Sequence, residues 1–138
     1  MNRWVDTQQL KHTVTCLLAA DYTIVSCDEA CFTWRGYQQK AWALPHSNLE
    51  LGQQPTVDGV NCVACVGAID DAVGKLHFGF RPRSFDGDAF VQFFDQLAAK
   101  LSGRKWALLL DNCSIHKSTT LKLRAQKAGV PLVYSVSY

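Results

Sequence analysis

The fold expected for this chain is decided by the stretch WALLLDN at residues 106–112. Residues 105–110 are apolar at almost every position instead of alternating with polar ones, which indicates a strand buried on both faces, as in the centre of a parallel sheet. Asp111 then comes at the open end of this strand, and HKS at residues 116–118 leads into a helix. The arrangement presents an acidic group at the edge of a buried sheet.

A second strand of similar design lies upstream. Residues 22–27, YTIVSC, form a β-prone run that leads directly into Asp28 and Glu29, so two strands are expected to end in carboxylates. Two ionised carboxylates about 4 Å apart repel by about 4 kcal/mol at an effective dielectric of about 20, and a divalent cation such as Mg²⁺ or Mn²⁺ is the usual remedy. Asp28 and Asp111 therefore predict metal-dependent phosphoryl-transfer chemistry.

Composition limits the class of protein. The length of 138 residues suits a single domain, and no apolar run reaches the roughly 20 residues that span a bilayer. Because the N-terminus does not resemble a secretory signal, a reducing compartment is expected. The net charge of +2 is too mild to indicate a nucleic-acid partner by itself. In a reducing compartment, cysteines are expected to be small buried groups, here Cys16, Cys27, Cys31, Cys62, Cys65 and Cys113.

The pattern along the chain predicts an antiparallel meander followed by βα units. The most regular segment carries apolar residues at helical spacing from Phe90 to Leu101, with Asp86 as N-cap and Gly103 to end the helix. The other expected elements are a leading helix at 7–20, a hairpin of 30–34 with 37–44, a loop at 46–59, a strand at 60–69, a turn at 70–74, a strand at 75–80, a helix at 118–128 and a strand at 132–134.

Two segments carry a resemblance to a known family. Residues 24–32, IVSCDEACF, and residues 110–118, LDNCSIHKS, resemble the first and second aspartate motifs of mariner-like DDE transposases and their bacterial insertion-sequence relatives. Residues 40–43, KAWA, and 66–69, VGAI, resemble the intervening strands. The resemblance implies an α/β, ribonuclease H-like fold with a mixed central sheet, in which Asp28 matches the first metal-binding carboxylate and Asp111 the second.

The same resemblance defines an expected domain organisation. Residues 1–20 would be a leading helix and 21–138 a DDE catalytic core that is incomplete at its C-terminus, because residues 135–138, SVSY, lack the prolines of the family and its third carboxylate would lie beyond Tyr138. The N-terminal helix-turn-helix region of the family is also not matched. These departures predict a truncated core with impaired activity, which a segment from another reading frame would complete.

The implied reaction is DNA strand cleavage and strand transfer during transposition. In the complete family site two Mg²⁺ or Mn²⁺ ions assist displacement at phosphorus, with Asp28 bridging both and Asp111 holding one. The expected partners are DNA, as transposon ends and target, and a second copy in a homodimer, with no membrane. The expected location is the cytoplasm, in association with the nucleoid, for a bacterial protein and the nucleus for a eukaryotic one, and the protein is not expected to be secreted. The alternative is a catalytically inactive remnant that binds DNA weakly or self-associates.

Several side chains near the two aspartates have more than one interpretation. Asn112, His116 and Lys117 are candidates for supporting the site or contacting DNA, although the first two are equally suited to forming a turn or lying beside a helix cap. Glu29 is expected to point away from Asp28 and to form a structural salt bridge. The simplest alternative for Asp28 and Asp111 is that each caps a turn and they never share an ion.

Two other readings concern the basic and thiol groups. The basic side chains of the last helix either meet a DNA backbone or are merely solvated; they are Lys122, Arg124 and Lys127. A four-thiolate zinc site is suggested by the cysteine spacing, but residues three apart in a strand face opposite sides; its members would be Cys27, Cys31, Cys62 and Cys65. A thiol hydrolase using Cys113 and His116 lacks an orienting partner.

Overall fold

The computed structural model describes residues 3–33, 62–70, 72–82 and 84–136. Its elements, in chain order, are α1 (Arg3–Ala19), β1 (Thr23–Thr33), β2 (Cys62–Asp70), β3 (Lys75–Arg81), α2 (Gly87–Lys100), β4 (Trp106–Leu110), a one-turn 3₁₀ helix (Ser114–Lys117), α3 (Thr119–Ala128) and β5 (Leu132–Tyr134). The second arm of the predicted hairpin, at 37–44, and the predicted loop at 46–59 lie outside the described residues.

The strands form one five-stranded mixed sheet in the order β3-β2-β1-β4-β5. β1, β2 and β3 pair in antiparallel fashion, whereas β4 lies parallel to β1 on one side and to β5 on the other. An antiparallel meander therefore precedes the parallel βα units, as the sequence pattern predicts. β4 is the inner parallel strand, which explains why it is apolar at almost every position.

β1 differs from the prediction in a way that concerns the candidate site. The sequence suggests a strand that ends at Cys27 and a separate hairpin arm beginning at Ala30, but β1 is a single strand of 11 residues. Its pairing with β2 continues through Asp28 as far as Thr33. The prediction that two strands end in carboxylates is thus wrong for Asp28, which lies within β1, although the described parallel pairing with β4 stops two residues earlier, at Ser26.

The hydrophobic core joins one face of the sheet to α2 and α3. The predicted stripe of α2 is buried, with Phe90, Phe94 and Leu97 almost completely enclosed, and it packs with Leu108 and Leu110 of β4. Burial of such large apolar side chains, about 1.5–3 kcal/mol each, is the main stabilising contribution to the fold. The same core fixes where the end of β4 lies relative to the helices, and hence the position of Asp111, which follows β4.

Caps limit the helices that flank the site. The Asp86 side chain accepts a hydrogen bond from the Ala89 amide, as predicted for the start of α2. Ser118 caps α3 by accepting from the Leu121 amide, and Gly129 ends α3 at a φ of 68°, a left-handed conformation that glycine adopts at low cost. α2 ends at Lys100, so Gly103, at a φ of 81°, belongs to the turn that follows and not to the cap itself.

The prediction that the cysteines are buried is only partly correct. Cys27 is buried in the core, but Cys16, Cys31 and Cys113 are exposed. The side chains of the other two cysteines lie outside the described residues. Within the described part of the chain, no helix is long and apolar enough to cross a membrane.

A polar cluster is buried at the end of the sheet where β2 turns into β3. Asp70 is fully buried, and Arg104 donates hydrogen bonds to both of its carboxylate oxygens. The hydrogen bond from Arg104 is the main reason why the pKa of Asp70 is lowered. Beside this pair lies His77, whose Nε2 has no hydrogen-bond partner among the described residues. Its pKa is lowered, first by burial and then by the charges of Lys75 and Lys100, against the opposing effect of Asp70.

Acidification is expected to destabilise the fold through His77. The folded-state pKa lies below the ordinary value of 6.5, so the unfolded chain takes up this proton more readily, and the free energy of unfolding falls as the pH drops below about 6.5. In a His77→Phe variant this contribution disappears, which makes the pH dependence of urea denaturation flatter between about pH 7 and pH 5 than in the unsubstituted chain. His12→Gln, at an exposed position of α1, is the control; equal pH dependence in all three proteins would contradict the assignment.

Candidate metal centre

The two aspartates singled out by the sequence belong to adjoining segments, since Asp28 lies within β1 and Asp111 follows β4, the strand that pairs with β1. The parallel register pairs Ser26 of β1 with Leu109 of β4. This is the last described pair, and each aspartate follows it by two residues. Strand alternation turns Asp28 to the face opposite Cys27, which is buried in the core, and both carboxylates are exposed to solvent.

Each of these carboxylates uses one oxygen within the protein. Oδ1 of Asp28 accepts a hydrogen bond from the Glu29 amide at 2.9 Å, and Oδ1 of Asp111 accepts one from the Cys113 amide, also at 2.9 Å. Asp111 therefore does cap the turn after β4, as the simpler interpretation suggests. The second oxygen of each carboxylate has no hydrogen-bond partner in the described part of the chain, so turn capping leaves it available to a ligand.

His116 contacts side chains from both segments that carry the aspartates. Its ring is completely buried and lies 2.7 Å from Oε1 of Glu29 through Nε2 and 2.7 Å from Oδ1 of Asp111 through Nδ1. It packs against Phe90, with 4.5 Å between the ring centroids, and its carbonyl oxygen accepts a hydrogen bond from the Tyr134 hydroxyl at 2.8 Å. Because a buried ring with both nitrogens engaged cannot reach a phosphate, direct DNA contact by His116 does not fit this geometry.

The imidazole of His116 lies between two carboxylates, those of Glu29 and Asp111. Burial by itself lowers the pKa of His116, but the hydrogen bond and charge of Glu29, reinforced by Asp111, outweigh it, and the pKa is raised. Nε2 is hydrogen-bonded to Oε1 of Glu29, and Nδ1 to the backbone carbonyl oxygen of Asp111 at 3.3 Å, while Oδ1 of Asp111 lies beside Nδ1 as an ion-pair partner when the ring is protonated. The pKa of the Cys27 thiol is also raised, first by burial and then by the negative charges of Glu29, Asp28 and Asp111. Cys27 is consequently a neutral core group and not a thiolate ligand.

The outcome for Glu29 has two parts. It forms a salt bridge, as predicted, and strand alternation places it on the face opposite Asp28. However, its partner His116 also contacts Asp111, so Glu29 is linked to the candidate site instead of being separate from it. The sequence signal for this link was an acid directly beside Asp28 and a histidine within the second motif, but nothing in the spacing pairs two residues 87 positions apart.

The remaining polar candidates are distributed around the turn after β4. The Asn112 side chain donates to the carbonyl oxygen of Ser135 and so ties this turn to the residue after β5. Lys117 is exposed. Arg124 of α3 lies 3.7 Å from Asp95 of α2, a weak surface pair. The predicted zinc alternative involves two side chains outside the described residues, and the two members that are described differ in burial: Cys27 is buried and Cys31 exposed.

The chemistry of the two aspartates suits one hard divalent cation. Carboxylate oxygens are the ligands of Mg²⁺ and Mn²⁺, and Mg²⁺ is commonly held by one or two carboxylates with water and substrate phosphates completing its shell. A cavity of about 340 Å³ lies over Asp28, bounded by Ile69 and Leu76. Gly67 is the residue opposite Asp28 in β2, so no side chain crowds the carboxylate from that strand. Among the described residues, no group of three or more histidine, cysteine or acidic side chains is arranged to hold a metal.

Comparisons with known proteins identify the family and the fold. A sequence profile of the DDE superfamily endonuclease family matches residues 23–135. The crystal structure of the Mos1 strand transfer complex matches with a TM-score of 0.61 at 14% identity, covering 100% of this chain and 43% of that one. The Mos1 mariner paired end complex with Mn matches with a TM-score of 0.63 at 12% identity, covering 100% and 44%.

A more distant likeness extends to a viral assembly. A chain in the structure of the simian T-cell lymphotropic virus intasome in complex with the PP2A regulatory subunit B56 gamma matches with a TM-score of 0.57 at 11% identity, covering 83% of this chain and 32% of that one. At these identities the likenesses show the fold, and this chain spans less than half the length of each matched chain. A comparison with curated protein sequences gives no match. The profile match over most of the chain shows that it belongs to the DDE superfamily endonuclease family, with a mixed sheet of ribonuclease H-like fold.

Proposed function

We propose that this chain carries the carboxylates of a metal-dependent DNA-cleaving and DNA-joining domain of a mobile element, a DDE transposase. Asp28 and Asp111 are its catalytic and metal-binding residues in this proposal, and DNA is its substrate. The observation that supports it best is the parallel pairing of β1 with β4, whose last pair, Ser26 with Leu109, precedes each aspartate by two residues. Residues 21–138 constitute the catalytic part.

In the proposed reaction the two aspartates bind the metal ion and Lys117 contacts the DNA. Asp28 and Asp111 each offer an oxygen that no described group occupies, and both side chains are exposed to solvent. A bound Mg²⁺ or Mn²⁺ ion supplies activation of the attacking hydroxyl and stabilisation of the leaving oxygen during in-line displacement at phosphorus. Lys117, exposed beside this edge, suits contact with a DNA phosphate.

Nicking of supercoiled plasmid DNA tests the proposal. The unsubstituted chain is expected to convert supercoiled to open-circular DNA in the presence of Mn²⁺ and to stop when the metal is chelated, whereas Asp28→Asn loses the activity because one metal-binding oxygen and its charge are removed. Asp88→Asn, an exposed aspartate in the first turn of α2, is the matched control and retains activity. Nicking that persists in Asp28→Asn, or in the absence of metal, would reject this assignment.

A second candidate is a non-catalytic member of the family. The observation that favours it is that no third acidic side chain joins Asp28 and Asp111 among the residues the structure describes, so the site offers fewer charges than two cations require. The same assay separates the candidates. Plasmid binding that weakens with added salt, without cleavage at any Mn²⁺ concentration, favours the binding module.

A further inference from the structure

Asp28 and Asp111 are held in different ways. Asp28 belongs to β1, and the pairing of that strand with β2 continues on both sides of it, so the pleat sets the direction of its side chain. Asp111 lies one residue beyond the end of β4, in the turn before the 3₁₀ helix. Ladder pairing does not fix the direction of its carboxylate, and other contacts must do so.

These contacts form a bridge from β1 to Asp111. Glu29, which follows Asp28 in β1, lies 2.7 Å from Nε2 of His116, and Nδ1 of the same ring lies 2.7 Å from Oδ1 of Asp111. The ring is also 3.3 Å from the carbonyl oxygen of Asp111. We propose that Glu29, acting through His116, is a positioning residue that fixes the carboxylate of Asp111 relative to Asp28; its role at a metal rests on the proposed function above.

The surroundings of His116 make this bridge rigid. The imidazole has no exposed surface and is packed against Phe90 of α2, while the hydroxyl of Tyr134, in β5, holds its backbone carbonyl. The ring is therefore fixed by elements on three sides. Glu29 is more accessible than the ring, with 18% of its side chain exposed, and unlike Asp111 it is not a proposed metal ligand, which makes it the better position for substitution.

The bridge also selects which oxygen of Asp111 is available. Oδ1 lies 2.7 Å from Nδ1 of His116 and also accepts a hydrogen bond from the Cys113 amide. These two contacts orient the plane of the carboxylate. The second oxygen, with no partner among the described groups, is thereby directed away from the ring. Groups that orient metal ligands from behind in this manner affect metal affinity by about ten- to a hundredfold when they are removed.

Substitution of Glu29 tests the positioning role. Glu29→Ala is expected to weaken Mn²⁺ binding, measured by calorimetry, by about ten- to a hundredfold, and Glu29→Gln to restore most of it because its amide oxygen still accepts a hydrogen bond from Nε2. Asp88→Ala, which removes an exposed negative charge from α2, is the control and leaves the affinity unchanged. A folded Glu29→Ala variant with unaltered Mn²⁺ affinity would overturn the proposal.

A metal-free measurement separates this inference from the proposed function. In ¹H–¹⁵N spectra of the unsubstituted chain, the Nδ1–H group of His116, which faces Asp111, is expected to be protected from exchange with water, and in Glu29→Ala its exchange becomes faster because the ring has lost the contact at Nε2 that holds it against Asp111. If the unsubstituted chain binds no Mn²⁺, the metal-dependent function fails, while the ring spectra still decide whether the bridge exists. Absence of a protected Nδ1–H in the unsubstituted chain, or its persistence in Glu29→Ala, overturns the positioning role.

Discussion

Replacing Asp111 with asparagine is expected to weaken Mn²⁺ binding by at least about a hundredfold, because removing a ligand charge costs more than removing a group behind it, which alone costs about ten- to a hundredfold. Asparagine keeps an oxygen that can accept from the Cys113 amide, so the turn after β4 is preserved. Asp28→Asn is expected to have a similar effect, since both aspartates share one cation in the proposed site. Calorimetric titration with Mn²⁺ measures both.

The controls for this titration separate ligand loss from a general change in charge. Asp95→Asn removes a carboxylate from α2 that forms a weak surface pair with Arg124, and it is expected to leave the Mn²⁺ affinity unchanged. Circular dichroism shows whether each variant is folded. If one of the variants Asp28→Asn and Asp111→Asn bound Mn²⁺ normally and the other did not, the result would contradict a shared site, because the proposal requires both aspartates for one ion.

Replacing Phe94 with alanine is expected to lower the free energy of unfolding by about 3–5 kcal/mol, the usual cost of removing a large buried aromatic side chain and leaving a cavity. Phe94 is 1% exposed and lies 6.0 Å, between ring centroids, from Trp106 at the start of β4. A domain of this size has a total stability of about 5–15 kcal/mol, so the loss is a large part of it. Urea denaturation at neutral pH measures the change.

The matched control is the same substitution at an exposed phenylalanine. Phe80 in β3 is 63% exposed, and Phe80→Ala is expected to change the free energy of unfolding by less than about 1 kcal/mol. Similar losses at both positions would mean that the core does not lie between α2 and the sheet. Comparison of the two variants also shows whether the urea dependence, which reports the surface exposed on unfolding, is unchanged.

The sequence predicts those elements whose pattern comes from burial. The stripe of α2 and the continuous apolar run of β4 reflect which faces meet the core, and both are found as predicted. The prediction for the end of β1 is wrong because aspartate is common in turns, whereas the pairing with β2 keeps this segment extended through Asp28 and Glu29. Local preference was overridden by a long-range partner that the local pattern does not contain.

The sequence singles out Asp28 and Asp111 because each follows an apolar run, and their role at a metal stays a prediction. The bridge through His116 joins Glu29 to Asp111 across the fold, and the buried pair of Asp70 with Arg104 joins β2 to the residues before β4. Such contacts depend on the final packing of side chains that are distant in sequence. No periodicity of the chain encodes them.

The different supports of Asp28 and Asp111 give the chain an unequal tolerance of insertions and deletions. Within a paired strand, removing one residue ahead of Asp28 shifts the register by one and transfers the carboxylate to the core face, which eliminates the site in a single step. A change of length in the turn after Asp111 is absorbed by the connection to the 3₁₀ helix, provided that the His116 ring still contacts Asp111. Length variation among homologous genes should therefore be concentrated after β4 and excluded from the first half of β1.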